Sequence, residues 1–368
     1  MRKEKAKRNK VLIAMSGGVD SSVAAALLKR GGFYPELGRR VEVVGVFMKF
    51  WSEPGNNNLT KGWNRCCSPD SEKRARQVAK ILNIPFYVVR FEKEFKKRIV
   101  DYFLEEHRAG PTPNPCVICN KEIKFGLLLE KALALDADFI ATGHYARLRK
   151  TKDGFHLLRS KDKDKDQSYF LWQLSQKQLG RVLFPIENYT RAEVEKLAKK
   201  FKLPFSGVRK SQEICFILDT VEDFLKRHIK AKPGKIMTVE GKKIGEHSGL
   251  WFYTIGQRKG MGLSGGPYYV SGKDFKKNAL IVTKNEKDLY KKELTAKNVT
   301  WISGEEPKLP LKIKAKIRYR HKLDFAVVNS SGRKTVRVVF DKPQRAITPG
   351  QSVVFYKGGE LLGGGIIK

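Results

Sequence analysis

Up to about residue 205 the chain alternates short apolar runs with segments whose apolar positions recur at helical spacing. VLIAM (11–15) reads as a buried strand, followed by a Gly-rich turn and the helix-forming SSVAAALLKR. VEVVGVFMKF (41–50) reads as the next strand, SEKRARQVAKILN (71–83) as an amphipathic helix and PFYVVRF as a third strand. Residues 94–107 and 121–135 read as helices, the second leading into the strand DFIAT. Thr190 and Glu193 form a capping box that opens TRAEVEKLAKKF. Strands alternating with helices predict an α/β fold with a parallel sheet covered on both faces.

After Cys215 the texture changes. IMTV, GLWFYTI, PYYV and ALIVT read as short β runs between Gly and Lys turns. From about residue 291 nearly every segment is strand-like: NVTWIS, LPLKIKAKIRYR, DFAVVN, TVRVVF and SVVFY. Between Leu311 and Arg320 apolar and cationic residues alternate strictly. That pattern predicts one packed face and one face carrying Lys312, Lys314, Lys316, Arg318 and Arg320 as a row of cations.

Charge narrows the function. The 368 residues hold 74 Lys+Arg against 38 Asp+Glu, a net charge of +36, where solubility asks for only about 2–8 in a small domain. A polyanionic partner explains the excess, although a generally lysine-rich surface is the plainer account and charge alone names no polyanion. No apolar run approaches the ~20 residues that span a bilayer. The basic N-terminus runs straight into VLIAM, too short for a secretory core of roughly 7–15 residues, so a cytoplasmic protein is expected. Cysteines stand at Cys66, Cys67, Cys116, Cys119 and Cys215. An odd number is a poor disulfide framework and points to redox, nucleophilic or metal work, or to buried small hydrophobes.

The turn after VLIAM is Ser16-Gly17-Gly18-Val19-Asp20-Ser21-Ser22. Glycines let a phosphate approach the backbone, and a following helix start offers N–H groups and a favourable dipole. It lacks the GxxxxGK[ST] spacing of a P-loop. It resembles instead the SGGxDS pyrophosphate loop of the ATP pyrophosphatases, which split ATP into AMP and pyrophosphate; the bland alternative is an ordinary Gly/Ser turn. Such a loop implies that a poor oxygen leaving group is adenylated and then displaced, with Mg²⁺ accompanying ATP. It does not name the substrate.

The cysteines carry that question. Thr112-Pro113-Asn114-Pro115-Cys116-Val117-Ile118-Cys119-Asn120 precedes a helix, whose N-terminus would favour thiolate. The second site is Ser211-Gln212-Glu213-Ile214-Cys215-Phe216-Ile217. Read alone, a CxxC is open to zinc binding or a redox pair. Together with AMSGGVDSSVAA, ATGHYA, KDQSYFLWQL, PGKIMTVEGKKIGEH, YTIGQRKG and TPGQSVVFY, these segments resemble, in order, the tRNA-specific 2-thiouridylase family.

The resemblance implies ATP-dependent thiolation of the wobble uridine of tRNA. The fold it implies is a PP-loop ATP pyrophosphatase domain at 1–212, a small, mostly-β central tRNA-binding domain at 213–290 and a C-terminal β-barrel at 291–368. It places Ala14, Met15, Ser16, Gly17, Gly18, Val19, Asp20 and Ser21 on ATP phosphates, with Met48 and Gly143 near adenine and ribose. It places His144, Lys165, Asp166, Gln167, Arg318, Tyr319 and Gln351 on tRNA, and Asn114, Pro115 and Cys116 by the target base. Cys119 becomes the first catalytic cysteine and Cys215 the persulfide carrier.

Many members have Asp where Cys116 stands, so this chain offers three thiolates instead of two. Three thiolates on a [4Fe–4S] cluster leave one iron open to hydrosulfide. That is the preferred reading of Cys116, Cys119 and Cys215; a Cys215 persulfide ending in a Cys119–Cys215 disulfide is the alternative, and zinc stands third. Sulfur would come from a donor protein or free sulfide. Cys66-Cys67 read as incidental thiols, or less readily as acceptors from a donor protein. His144 follows a strand end, where ligands bind in open parallel sheets. Competing readings are another ATP pyrophosphatase, such as an amidating synthetase, and a non-catalytic RNA-binding protein.

Overall fold

The computed structural model describes residues 9–31, 41–54, 68–204 and 214–368. The chain opens with β1 (Lys10–Ala14), α1 (Val19–Arg30), β2 (Glu42–Lys49), α2 (Pro69–Ile81) and β3 (Phe86–Arg90). A helical stretch follows: α3 (Glu92–Phe95), a π-helical turn over Lys96–Val100 and α4 (Asp101–Ala109). Then α5 (Pro115–Ile118) continues through a π-helical segment, Cys119–Leu127, into α6 (Leu128–Leu133). After them come β4 (Phe139–Ala141), β5 (Ala146–Thr151), β6 (Gly154–Arg159), α7 (Gln176–Leu179), β7 (Val182–Leu183) and α8 (Arg191–Lys200).

Two compact units result. The first comprises the described parts of Met1–Arg98, with Cys116–Leu218 and Gly359–Leu361. Its sheet runs β3-β2-β1-β4-β7 and is parallel throughout. Its core joins Val11, Ile13, Val43 and Phe47 to the buried face of α1, where Val23, Ala24, Ala25 and Ala26 are small enough to bring the helix close. Ser68 caps α2 by accepting the Ser71 N–H at 3.1 Å, with Pro69 at the first helical position. The capping box of Thr190 and Glu193 opens α8 as the sequence predicts. The strand order reverses at β1: β2 and β3 lie on one side, β4 and β7 on the other. That switch leaves a crevice beyond the carboxyl ends of β1 and β4.

The second unit comprises Ile99–Pro115, Asp219–Gly358 and Leu362–Lys368. It contains α9 (Val221–His228), β8 (Gly234–Thr238), β9 (Lys243–His247), β10 (Tyr269–Asp274) and β11 (Ala279–Thr283). These strands form a sheet in the order β10-β11-β8-β9. The barrel strands are β12 (Tyr290–Trp301), β13 (Leu311–Lys316), β14 (Asp324–Ser330), β15 (Val336–Arg345), β16 (Ser352–Lys357) and β17 (Glu360–Ile367). They run β12-β15-β14-β13-β16-β17, and β17 pairs back on β12 to close the barrel. Closure removes the exposed edges that would invite strand addition. Ile313, Ala315, Val328, Val338, Phe340 and Phe355 fill the interior.

Several expectations need correction. GLWFYTI is no strand: Leu250–Phe252 forms a 3₁₀ turn that buries Leu250 and Phe252. The strand expected through Arg320 ends at Lys316, and Lys316 is itself buried, so the outward row of five cations is not formed. Arg318 lies beyond the strand and donates to the Arg345 carbonyl at 2.7 Å. The hairpin of β5 and β6 escaped the sequence reading because ARLRKT is crowded with cations and GFHLLR lacks strict apolar–polar alternation. Strand β17 escaped because ELLGGGII is Gly-rich; a Cβ on Gly363 would stand 2.2 Å from the Thr300 carbonyl oxygen, so the pairing with β12 needs glycine there.

In the second unit His107, on α4, is buried beside Phe103 and the Trp251 carbonyl. Burial, with the nearby Lys273 ammonium, pushes its pKa down from 6.5 to about 4. Unfolded His107 takes up a proton near pH 6.5, and the folded residue only near 4. Its contribution to stability is complete above 6.5 and is lost as pH falls through that window. Urea unfolding followed at pH 7 and pH 5 should show a loss of about 2 kcal/mol from this residue, and His107→Phe should remove that part of the pH dependence.

Candidate active site

The crevice at the switch point is a cavity of about 210 Å³. Ala14, Met15 and Ser16 line it from the end of β1, Met48 and Phe50 from the end of β2, and Thr142, Gly143 and His144 from the end of β4. Asp20 and Ser21 enter from the start of α1, with Lys124 and Gln167 completing the wall. Seven residues expected to hold ATP therefore face one space: Ala14, Met15, Ser16, Asp20, Ser21, Met48 and Gly143. Gly17, Gly18 and Val19 build the turn itself, and Val19 is the first residue of α1.

Glycine is demanded by geometry at two points. Gly17 adopts φ +72°, and a Cβ there would lie 2.1 Å from the Ser71 carbonyl oxygen. A Cβ on Gly143 would lie 2.6 Å from the Ser21 nitrogen. The loop is held without side-chain capping of α1: Ser21 Oγ donates to the Gly18 carbonyl at 3.1 Å and accepts the Ser16 N–H at 3.2 Å. Arg74, on α2, donates to the Gly17 carbonyl at 3.1 Å and to Ser71 Oγ at 2.9 Å. Gly18 caps the twelve-residue helix without a side-chain hydrogen bond, so no side chain of the cap competes for the first-turn N–H groups.

Three residues that sequence reasoning missed shape the charge here. Arg191 Nη1 donates to both carboxylate oxygens of Asp20, at 2.7 and 2.8 Å. The Tyr145 hydroxyl donates to Asp20 Oδ1 at 2.7 Å, and burial together with the Asp20 carboxylate raises its pKa far above the ordinary value. Lys124 shares the cavity wall with His144. His144 shares a 2.8 Å hydrogen bond with Thr142 Oγ1, and burial and the Lys124 charge hold its pKa well below 6.5, so the ring is neutral at physiological pH. The only sequence signal for Arg191 was its place just inside a capping box, which says nothing about its far partner.

The cysteines lie differently from expectation. Cys116 and Cys119 are not on a loop before a helix; Cys116 lies within α5 and Cys119 opens the π-helical segment. That segment also carries Lys124 of the cavity wall, so one continuous helical stretch links the CxxC to the crevice. Cys119 is buried and Cys116 half-buried. Asn120 beside them is buried, with Nδ2 donating to the Phe170 carbonyl at 3.2 Å while Oδ1 has no protein donor among the described residues. Cys215 is half-buried. Its neighbour Phe216 packs edge-on to Phe95 at 5.8 Å, and Phe95 stacks at 4.7 Å on Phe50 of the cavity wall.

All three cysteines are present as thiols. Three thiolates suit a [4Fe–4S] cluster chemically. As arranged they do not fit one: among the described residues no three His, Cys, Asp or Glu side chains come together as a metal-holding group. Cys66, Cys67 and Ser211-Gln212-Glu213 lie outside the described residues.

The residues expected on tRNA are spread out. Gln167 and His144 line the crevice, and Lys165 is half-buried in the preceding loop. The Asp166 carboxylate turns inward, accepting from Arg159 Nε at 2.8 Å and from the Ser160 and Ser168 N–H groups at 3.2 Å. It therefore shapes the loop and offers no donor to a phosphate. Pro115 opens α5 after half-buried Asn114. In the second unit Tyr319 follows β13, half-buried, and Gln351 Nε2 donates to the Thr112 carbonyl at 2.8 Å.

Known proteins match this chain from end to end. Residues 9–219 match the tRNA methyl transferase HUP domain, 222–284 the tRNA methyl transferase PRC-barrel domain and 291–367 the aminomethyltransferase beta-barrel domain. Its relatives include the tRNA-specific 2-thiouridylase MnmA 1 of Caldanaerobacter subterraneus, 48% identical over 98% of each chain. The tRNA-specific 2-thiouridylase MnmA of Halothermothrix orenii is 46% identical, covering 98% of this chain and 99% of its own. The methyl transferase wording of the domain descriptions conflicts with these full-length relatives, whose extent and identity decide the matter. The U34-tRNA thiolase NcsA from Methanococcus maripaludis with its [4Fe-4S] cluster aligns over 61% of this chain and 67% of its own, at 18% identity and a TM-score of 0.34, too slight a likeness to carry an argument.

Gly143→Ala and Gly17→Ala should each force backbone apart at the crevice, costing roughly 1–3 kcal/mol and abolishing ATP binding in equilibrium dialysis. Gly359→Ala, where an added Cβ meets nothing within 4 Å, should leave both stability and binding unchanged.

Proposed function

This chain belongs to the tRNA-specific 2-thiouridylase family, and we propose that it replaces the 2-oxygen of the wobble uridine of tRNA with sulfur at the expense of ATP. The observation that carries the reading is the crevice at the carboxyl ends of β1 and β4, where the SGGVDSS turn lines a cavity whose wall is reached by the helical stretch from Cys119 and by the ring contacts of Phe216, the neighbour of Cys215. In this reading residues 16–21 hold the triphosphate, and Mg²⁺ neutralises the departing pyrophosphate. The uridine oxygen attacks the α-phosphorus and pyrophosphate leaves. Sulfur then adds to the activated carbon, and AMP departs with the oxygen. Burial and the Lys124 charge disfavour a charged His144, so it would meet the RNA through hydrogen bonding or stacking. Asn114, Pro115, Lys165, Gln167, Arg318, Tyr319 and Gln351 are proposed as the other tRNA contacts, and 1–212, 213–290 and 291–368 as the working divisions of the chain. An anticodon base is already single-stranded, so placing it in a pocket costs little. A cytoplasmic location is proposed with this reading, since tRNA is the substrate.

Two sulfur carriers are open to these thiols. Cys116 in the CxxC favours a [4Fe–4S] cluster on Cys116, Cys119 and Cys215, which would supply hydrosulfide from the iron lacking a protein ligand; this requires Cys215 to close on the pair. The alternative is a persulfide on Cys215. Its outer sulfur attacks the base, Cys119 thiolate then attacks Cys215 Sγ, and the thiocarbonyl and a Cys119–Cys215 disulfide result, to be reduced by an external thiol. Sulfide would serve the cluster directly, whereas Cys215 would take its outer sulfur from the persulfide of a donor protein, whose thiolate leaves as the sulfur is transferred.

Anaerobic thiolation of tRNA transcripts with ATP and either sulfide or a protein persulfide donor, read on a mercury gel, separates the two. Only iron–sulfur-reconstituted protein should shift the tRNA with sulfide if the cluster carries sulfur; equal activity of apo protein given the persulfide donor assigns the role to the Cys215 persulfide. Cys215→Ala should lose all thiolation in both cases, and retained thiolation would remove Cys215 from the sulfur transfer.

The net charge of +36 implies binding dominated by phosphate contacts. Arg318→Ala should weaken tRNA binding and lower the slope of log affinity against log salt by about one. Equal affinity in filter binding at fixed salt would remove Arg318 from the interface.

A further inference from the structure

The loop at residues 160–167 is bonded to the nucleotide loop by two separate routes. On the first, Asp162 Oδ1 accepts the backbone N–H groups of Asp164 and Lys165, both at 3.1 Å, while Oδ2 accepts the Arg191 N–H at 2.8 Å. Arg191 in turn grips both oxygens of Asp20. On the second, Gln167 donates its N–H to the Tyr145 carbonyl at 2.8 Å and accepts the Tyr145 N–H on Oε1 at 3.0 Å. Tyr145 then donates its hydroxyl to Asp20. Both ends of the 160–167 loop therefore converge on one carboxylate. Between them, the buried Asp166 fixes the loop internally.

Charge gives this circuit a purpose. A carboxylate in a phosphate-holding turn repels its ligand, and Arg191 cancels that repulsion while Glu195 holds its Nε at 2.8 Å. The pair is only partly exposed, with side-chain accessibilities of 23% for Arg191 and 33% for Asp20, so water screens it incompletely. With ATP bound, magnesium would compete for the carboxylate and phosphate oxygens for the guanidinium. The Asp20–Arg191 contact would then have different partners in the two states, which is the condition for a ligand to shift an equilibrium.

We propose that Arg191 is a positioning residue that couples the 160–167 loop to the nucleotide loop, so that tRNA on the one and ATP on the other alter each other's affinity. The inference rests on the reading of residues 16–21 as the ATP site and of Lys165 and Gln167 as RNA contacts. Coupling between two sites is reciprocal and is measured as one factor.

The test is the affinity for tRNA with and without a non-hydrolysable ATP analogue and Mg²⁺, in wild type and in Arg191→Ala, Arg191→Lys and Asp162→Ala, each checked by thermal melting. In wild type the analogue should change tRNA affinity by a factor of about 5–150, the usual range of such couplings. Arg191→Ala should lower the factor at least severalfold, the Tyr145 route alone remaining, and Arg191→Lys should restore part of it. Asp162→Ala cuts the first route without touching the Asp20 pair and should also lower the factor, which decides the matter if Arg191→Ala does not fold. A wild-type factor of one, or an Arg191→Ala protein that binds both ligands more weakly with the factor unchanged, overturns the proposal. A wild type that binds no analogue at all instead refutes the nucleotide reading of residues 16–21.

Discussion

Two backbone approaches leave no room for a side chain, and the crevice exists because of them. Gly143 lies against the first turn of α1 and Gly17 against the start of α2, each at a distance that a Cβ would break. Parallel strands β1 and β4 are neighbours, so their carboxyl ends emerge side by side. Glycine at both points lets the turn after β1 and the turn after β4 share one cavity. The crevice position follows from strand order, and its narrowness follows from these two residues.

Inside that space the electrostatics are balanced locally. Asp20 is the acid of the Gly-rich turn, and its charge is met by Arg191 and the Tyr145 hydroxyl. Lys124 supplies a cation to the cavity wall and, after burial, helps to lower the pKa of His144. One helical stretch carries Cys116, Cys119 and Lys124, so the CxxC and the crevice wall share an element. Its π-helical wind is a less stable arrangement than an α-helix and recurs at functional sites.

The second unit handles its backbone polar groups by closure. Six strands joined edge to edge leave no open ladder, and Gly363 lets β17 approach β12 closely enough to complete it. This arrangement also limits where cations can stand. Lys316 enters the wall of the barrel and Arg318 is turned onto a carbonyl, so the basic surface is set by barrel geometry more than by alternation along one strand.

By itself the sequence determined the elements whose signals are local. The apolar runs of β1 and β2, the capping box at Thr190, the SGGVDSS turn and the order of family motifs depend on nearest neighbours along the chain, and each is legible there. Charge-rich β5, its partner β6 and Gly-rich β17 form strands because partners supply their hydrogen bonds, and no clear local pattern announces them. The same holds for the site. Residues of the turn could be named, but Arg191 stands 171 positions from Asp20 and Tyr145 stands 125 away. Only folding sets those charges together, because Coulomb and hydrogen-bond energies depend on separation in space and carry no periodicity that a sequence could display.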